Sequence, residues 1–271
     1  MNNTAPKLPW ICPVCREPLL HSGNSLVCSN RHCFDISKAG YVNLLLSSSR
    51  GGHGDDKLMV KSRTDFLNRG YYEPLALCAA ELAGENTDSS SLIVDAGCGE
   101  GYYSQIVAQS SGAALAGIDI SKVAVAAAAK RCKNLCFAAA STADMPLESL
   151  CADLILNIFS PLFPEEFRRV LKRGGKLLRV VPGEKHLWEL KSLVYDRPYE
   201  NPAPELEIPG FELLSTRRLE YSITLEDRDS ILSLFKMTPY YYKTGEKDQQ
   251  KLLLAETLST RLEFEISLYK A

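Results

Sequence analysis

Between Ser91 and Val181 the chain alternates continuous apolar runs with stretches of helical spacing. "LIVDAG" (92–97), "ALAGIDI" (114–120), "LCFAAA" (135–140), "ADLILNIF" (152–159) and "GKLLRVV" (175–181) read as strands buried on both faces. "YYSQIVAQSS" (102–111) and "SKVAVAAAAKR" (121–131) read as helices, the second with Ser121 as its N-cap. "PEEFRRVLKRGG" (164–175) predicts a short helix opened by proline and closed by glycine. Two more helices are expected between Asp55 and Gly84, broken near Gly70. Strands alternating with helices imply a parallel sheet covered on both faces. Near the C-terminus the period changes. "RLEYSITL" (218–225) and "RLEFEISLYKA" (261–271) alternate polar and apolar residues, as an antiparallel pair with one exposed face does. A helix, "EDRDSILSLF" (226–235), and a loop, "KMTPYYYKTGEK" (236–247), are expected between them.

Residues 1–46 follow neither period. They form short extended pieces around Cys12, Cys15, Cys28 and Cys33, and "SSSRGGHGDDK" (47–57) reads as a Ser/Gly-rich linker. The expected division is therefore a small N-terminal unit (1–46), a linker (47–57) and an α/β domain (58–271). The spacing Cys-x2-Cys, twelve residues, then Cys-x3-His is that of two turns presenting four ligands to a tetrahedral zinc ion. Cys12, Cys15 and Cys28 are three of these ligands, and either His32 or Cys33 can be the fourth. Four protein ligands leave no open position, so such a zinc would be structural. A knuckle of some forty residues has too little core to fold without it. The other cysteines (78, 98, 132, 136, 151) are scattered through apolar patterns and read as core filling.

The loop "VDAGCGEG" places Asp95 at a strand end, then Gly97, Gly99 and Gly101 before a helix. Glycines let the backbone turn tightly against a ligand. Dinucleotide sites share this device, but Asp95 suits the ammonium of a methionine moiety better than a pyrophosphate. Asp119 ends the next strand, where it can accept from both ribose hydroxyls. The pair points to S-adenosylmethionine, with NAD the lesser reading. Asp144, after the third strand, is placed to meet the adenine edge. Asn157 and the turn Ile158–Pro161, at the carboxyl edge of the sheet, should face the transferable methyl, with Phe159 either a stacking surface or plain core. From the residues alone His186 reads as a surface residue at a helix start. The expected fold is thus α/β, a seven-stranded Rossmann-like, S-adenosylmethionine-dependent methyltransferase domain carrying a small zinc-binding domain.

Charge changes this picture locally. The 271 residues carry a net charge of −2, 45% hydrophobic and 24% charged residues, which is ordinary globular composition. Residues 1–49 hold Lys7, Arg16, Arg31 and Lys38 against only Glu17 and Asp35, and Arg50, Lys57, Lys61, Arg63 and Arg69 follow. A mildly basic cap can read RNA through its phosphates, and Arg31 is the residue expected to do so. No run approaches the length of a membrane span, and no basic-then-apolar leader is visible. The cytoplasm is the expected compartment.

With both motifs present, the chain resembles the RlmA (RrmA) family of bacterial 23S rRNA guanine-N1 methyltransferases along essentially its whole length. The residues that carry this are "CPVC", "CSNRHCFDISKAGYVNLL", "FLNRGYYEPL", "DAGCGEGYYS", "DISKVAVAAAAKR", "IFSPLFPEEFRRVLKRGG", "PGEKHLWELK" and "MTPYYY". The resemblance implies zinc on Cys12, Cys15, Cys28 and His32, and cofactor contacts from Tyr72, Gly99, Glu100 and His186. It implies 23S rRNA as partner, with methylation of a guanine in hairpin 35, and it is compatible with a homodimer. One branch of the family acts on guanine 745, the other, linked to tylosin resistance, on guanine 748. "NIFSP", "EFRRVL" and "EDRDSILSLFKMTP" look closer to the second. Flipped or single-stranded RNA calls for stacking aromatics, for which Phe159 and Tyr240–Tyr242 are the candidates. The rival readings are a small-molecule methyltransferase with a zinc lid and a non-catalytic RNA-binding module.

Overall fold

The computed structural model describes residues 10–46 and 54–271, so Lys7, Arg50 and His53 lie outside the described residues. The knuckle contains a three-stranded antiparallel sheet: β1 (Leu20–Ser22), β2 (Ser25–Val27) and β3 (Cys33–Asp35). A two-residue strand, β4 (Val42–Asn43), then leaves the knuckle and joins the main sheet. Helix α1 (Lys57–Leu67) is capped by Asp56, whose carboxylate accepts from the Leu58 and Met59 N–H groups at 2.8 and 2.9 Å. Gly70, at φ +82°, breaks the chain before α2 (Glu73–Asn86), as the sequence predicts.

The doubly wound part follows in the expected order: β5 (Leu92–Ala96), α3 (Tyr102–Ser111), β6 (Ala114–Asp119), α4 (Lys122–Arg131), β7 (Cys136–Ala139), β8 (Ala152–Ile158), α5 (Pro164–Val170) and β9 (Leu171–Pro182). Ser121 caps α4, accepting from the Ala124 N–H. After α6 (Trp188–Val194) come β10 (Glu212–Leu225), α7 (Arg228–Lys236), α8 (Tyr240–Lys243), α9 (Glu246–Leu252) and β11 (Leu258–Lys270). The main sheet runs β10-β11-β9-β8-β5-β6-β7-β4. β11 lies antiparallel between β9 and β10, and the β4–β9 strands pair in parallel.

Three details depart from the expectations. The seven strands are present, and β4 adds an eighth, pairing Val42 with Ala138 and Asn43 with Ala139. The helix predicted over 164–175 ends at Val170, because the Leu150 and Cys151 N–H groups take the Arg169 and Val170 carbonyls and draw Leu171 into register with Ala152. The loop 236–247 contains α8 and the start of α9.

One apolar layer packs α2, α3, α6 and α7 against one face of the sheet. The layer on the opposite face joins Trp10, Cys12, Leu19, Leu26 and Cys28 of the knuckle to Val94, Ile118, Leu147, Ile155 and Phe167. Trp10 pairs with Leu147, and the Ile11 N–H donates to the Pro146 carbonyl, so the knuckle is seated on the loop after β7. Among the described residues no helix is long and apolar enough to cross a membrane.

Candidate metal centre and cofactor site

The ligand atoms of Cys12, Cys15, Cys28 and His32 all lie within 4.8 Å of one another. His32 Nδ1 is 3.5 Å from Cys12 Sγ and 3.4 Å from Cys28 Sγ, and the Cys15 and Cys28 sulfurs are 3.6 Å apart. A tetrahedron with Zn–S of about 2.3 Å has edges of roughly 3.8 Å, so the donor set fits zinc in size as well as chemistry. Cys33 points out of the cluster from β3 and is exposed, which leaves the fourth position to His32. Hydrogen bonds from the Asn30 side chain and the Glu17 backbone push the Cys15 thiol down to about 6, toward the thiolate a metal requires.

Both knuckle turns place an arginine in the left-handed region, Arg16 and Arg31 each at φ 64°. Their N–H groups close the turns onto the Cys12 and Cys28 carbonyls at 2.8 and 2.9 Å. Arg16 forms an ion pair with Asp144. Arg31 is exposed and makes no ion pair among the described residues. Asp144, expected at the adenine edge, is exposed, and one of its carboxylate oxygens pairs with Arg16 of the knuckle, 128 residues away in sequence.

At the carboxyl edge of the sheet the glycine loop folds back over β6, with the Gly97 and Cys98 N–H groups both donating to the Ile118 carbonyl. A Cβ on Gly97 would fall 2.3 Å from that of Ser160, and one on Gly101 would fall 3.0 Å from Ala128; both glycines have positive φ. Close approach thus requires glycine at these two positions. Asp95 is 2% exposed and accepts from Ser104 Oγ at 2.6 Å. Burial, opposed by that hydrogen bond and reinforced by Asp119, pushes its carboxyl up to about 7. Asp119 accepts from the Gly99 and Ser121 N–H groups at 3.0 and 2.8 Å, which fixes its carboxylate at the loop mouth with lone pairs to spare. The Glu100 side chain turns away from the loop mouth. Its Oε2 accepts from Arg131 Nε at 2.9 Å and from Thr64, while its buried Oε1 has no partner among the described residues. Only the backbone of Glu100, with that of Gly99, lines the loop.

Across the loop, the Asn157 amide donates to Ser160 Oγ at 2.6 Å and to the Pro161 carbonyl at 3.1 Å. It is 1% exposed and braces the turn through its amide nitrogen. The turn it braces carries Phe159, a non-glycine residue at φ 54° with its side chain 43% exposed. Such strain is sustained only where the surroundings enforce it. The Phe159 ring lies 5.7 Å from Phe264, 6.3 Å from Tyr103 and 6.4 Å from Tyr72. Of the other aromatics proposed for stacking, Tyr241 packs on Phe235, Tyr240 lies over Lys191, and Tyr242 donates to Asp56.

His186, read from the residues alone as a surface group, is buried. The Glu263 N–H donates to its Nδ1 at 3.2 Å, so the ring proton resides on Nε2, which donates to the Tyr72 hydroxyl at 3.2 Å. Burial, aided by the Lys191 charge, pushes His186 down to about 3, and the ring is neutral. Three residues that the sequence reading did not place at the cofactor site, Asp55, Arg63 and Tyr103, also lie here. Ser121 Oγ donates to the Asp55 carbonyl at 2.6 Å, Arg63 forms an ion pair with Asp55 beside Gly99, and Tyr103 stands against Phe159. The spacing of Arg63 and Tyr103 reads as ordinary helix, and Asp55 falls in the linker.

Residues 10–48 match the zinc-ribbon family described as "RlmA, N-terminal", and residues 93–179 match a methyltransferase domain family. YxjB of Bacillus subtilis (strain 168), whose name places it among the 23S rRNA (guanine-N1)-methyltransferases, is 35% identical over 255 residues, covering 89% of each chain. The 23S rRNA (guanine(748)-N1)-methyltransferase of Streptomyces fradiae is 34% identical over 236 residues, covering 84% of each. A zinc ribbon built on a Cys3His cluster and an S-adenosylmethionine-dependent methyltransferase domain are thus joined in one chain. On this likeness and this architecture, the chain belongs to the RlmA family of 23S rRNA (guanine-N1)-methyltransferases.

Proposed function

We propose that the protein transfers a methyl group from S-adenosylmethionine to N1 of a guanine in hairpin 35 of 23S rRNA, guanine 748 in particular. The observation that carries this is Phe159, a half-exposed aromatic held in a strained turn at the carboxyl edge of the sheet, beside Tyr72 and across from the glycine loop. A flipped base needs such a surface to stack on. The likeness to the Streptomyces fradiae enzyme supports the choice of guanine 748 over 745.

In this reading Asp95 faces the cofactor's ammonium, Asp119 its ribose, and the backbone of Gly97, Gly99, Glu100 and Gly101 its methionyl portion. Tyr72, oriented by His186, closes the site from the other side. Asp144 has no cofactor role here, and Asn157 acts on the turn. When bound, S-adenosylmethionine supplies an electrophilic methyl on a sulfonium. The protein's task is to hold guanine N1 in line with it.

N1 must first lose its proton, and the candidate bases near Phe159 are occupied. Both His186 nitrogens are engaged, and in this reading Asp95 is committed to the cofactor's ammonium. The proton therefore passes to solvent, and kcat should rise with pH until N1 is ionised. Cys12, Cys15, Cys28 and His32 hold zinc as a structural ion, and Arg31 contacts RNA phosphate.

Primer extension on 23S rRNA from cells with and without the gene tests this reading, since methylation at N1 blocks pairing and stops reverse transcriptase. The expected result is a gene-dependent stop marking guanine 748. A stop marking 745 would move the protein to the other branch, and no stop at either, with the protein expressed, would remove the rRNA assignment.

A further inference from the structure

We propose that the Tyr103 hydroxyl is the hydrogen-bond donor to O6 of the target guanine, a contact that rests on the rRNA reading above. Tyr103 is the second residue of α3, directly after the glycine loop. Its ring meets Phe159 edge-on, with centroids 6.3 Å apart. Its hydroxyl is shielded from solvent and has no hydrogen-bond partner among the described residues. A hydroxyl buried in this way costs stability, and native structures leave few of them unexplained.

Titratable groups near Tyr103 among the described residues include Tyr72, Tyr102 of its own helix, Tyr221 of β10 and Arg63 of α1. Three of them are visibly engaged elsewhere. The Tyr72 oxygen accepts from His186, Tyr221 donates to the Tyr71 carbonyl, and Arg63 is held by Asp55 and the Met237 carbonyl. The first turn of α3 thus faces two ways. Ser104 reaches Asp95 under the glycine loop, and Tyr103 reaches the wall formed by Phe159.

A guanine stacked on Phe159 would bring the O6–N1 edge to that wall. Loss of the N1 proton leaves a negative charge shared between N1 and O6. A donor already in place at O6 stabilises that charge as it develops, with no reorganisation. The C–S bond then breaks as the N1–C bond forms, and sulfur leaves with its electron pair. Tyr103 contributes by making the deprotonated base easier to reach.

The test uses zinc-loaded, full-length Tyr103→Phe and a transcript of the hairpin. Phenylalanine removes one oxygen and no existing hydrogen bond, so the variant should fold with an unchanged or higher Tm. The expected result is a Kd for S-adenosylmethionine within about twofold of wild type, a kcat lower by roughly 100-fold, and a pH–rate profile displaced to higher pH. An unchanged kcat and profile would make the hydroxyl mere filler and overturn the proposal. Weakened S-adenosylmethionine binding with kcat retained would assign the donor to the cofactor's carboxylate, which also overturns it. Wild type assayed in parallel separates the two claims. If it leaves the transcript unmethylated, the rRNA reading fails and the O6 contact goes with it; a variant equal to an active wild type sinks the contact alone.

Discussion

Asp95 offers a prediction with a sign that depends on pH. Its carboxyl is 2% exposed and titrates near 7 in the folded chain, against an ordinary 3.8. The folded state therefore favours the protonated acid. Stability is greatest below the ordinary value and is lost as pH rises through 7, where the fold must hold a buried carboxylate. Between pH 5.5 and 8 the loss amounts to about 1.5 pH units, or about 2 kcal/mol. In a chain of 271 residues that is about 3–4 °C in Tm. Asp95→Asn keeps the shape and can still accept from Ser104, but it does not ionise. The Tm of the variant minus that of wild type, measured by thermal denaturation of zinc-loaded protein without cofactor, should rise by about 3–4 °C from pH 5.5 to pH 8. Any fixed cost of an unpaired amide hydrogen cancels in this difference. The same variant should lose S-adenosylmethionine binding in titration calorimetry, and wild-type affinity should weaken as pH falls below about 7. A Tm difference that stays flat across this range would refute the account of Asp95 as a buried, reluctantly ionised acid.

Three other changes have readable outcomes. Chelating zinc, or Cys12→Ser, should lower the Tm of the whole chain in one transition, because the knuckle's apolar residues share a core layer with the sheet; scanning calorimetry showing an unchanged main transition would contradict this. Phe159→Gly relieves the left-handed backbone but gives up the ring's packing on Phe264, Tyr103 and Tyr72, so it should change stability little, leave S-adenosylmethionine affinity intact and cut RNA methylation at least tenfold. Methylation at the wild-type rate would show that no base stacks there. Arg31→Gly should be neutral or stabilising for the same backbone reason, yet weaken RNA binding and flatten its salt dependence by about one phosphate contact. Unchanged binding across a salt series would remove Arg31 from the interface.

What could be read in the sequence was whatever depends on neighbours in the chain. Ser121 caps α4 because a polar side chain directly precedes a helical run, and the glycine loop is visible because strand, glycines and helix follow one another. β4 was hidden. Two residues are too few to show a period, and its partner β7 lies almost a hundred residues further on. The end of α5 was misplaced because Gly174 and Gly175 look like a stop, while carbonyl contacts from Leu150 and Cys151 had already ended the helix. At the site, Asp95 and Asp119 stand where the strand ends place them. Asp144 and His186 do not follow local reading, since one is claimed by Arg16 and the other is buried by Tyr72 and the Glu263 backbone. Tyr103 carries no local signal, because a tyrosine in a first helical turn reads as packing.

The seating of the knuckle bears on how the two parts of this protein can be rearranged. β4 covers the outer edge of β7, and Trp10 covers Leu147. Removing residues 1–46 would not release a free-standing enzyme; it would bare a hydrogen-bonding strand edge and an apolar patch, which invites aggregation. Knuckle and methyltransferase domain are therefore not interchangeable cassettes. Changes to the knuckle would have to be confined to its exposed turns, such as the one that carries Arg31, with its underside left as it is.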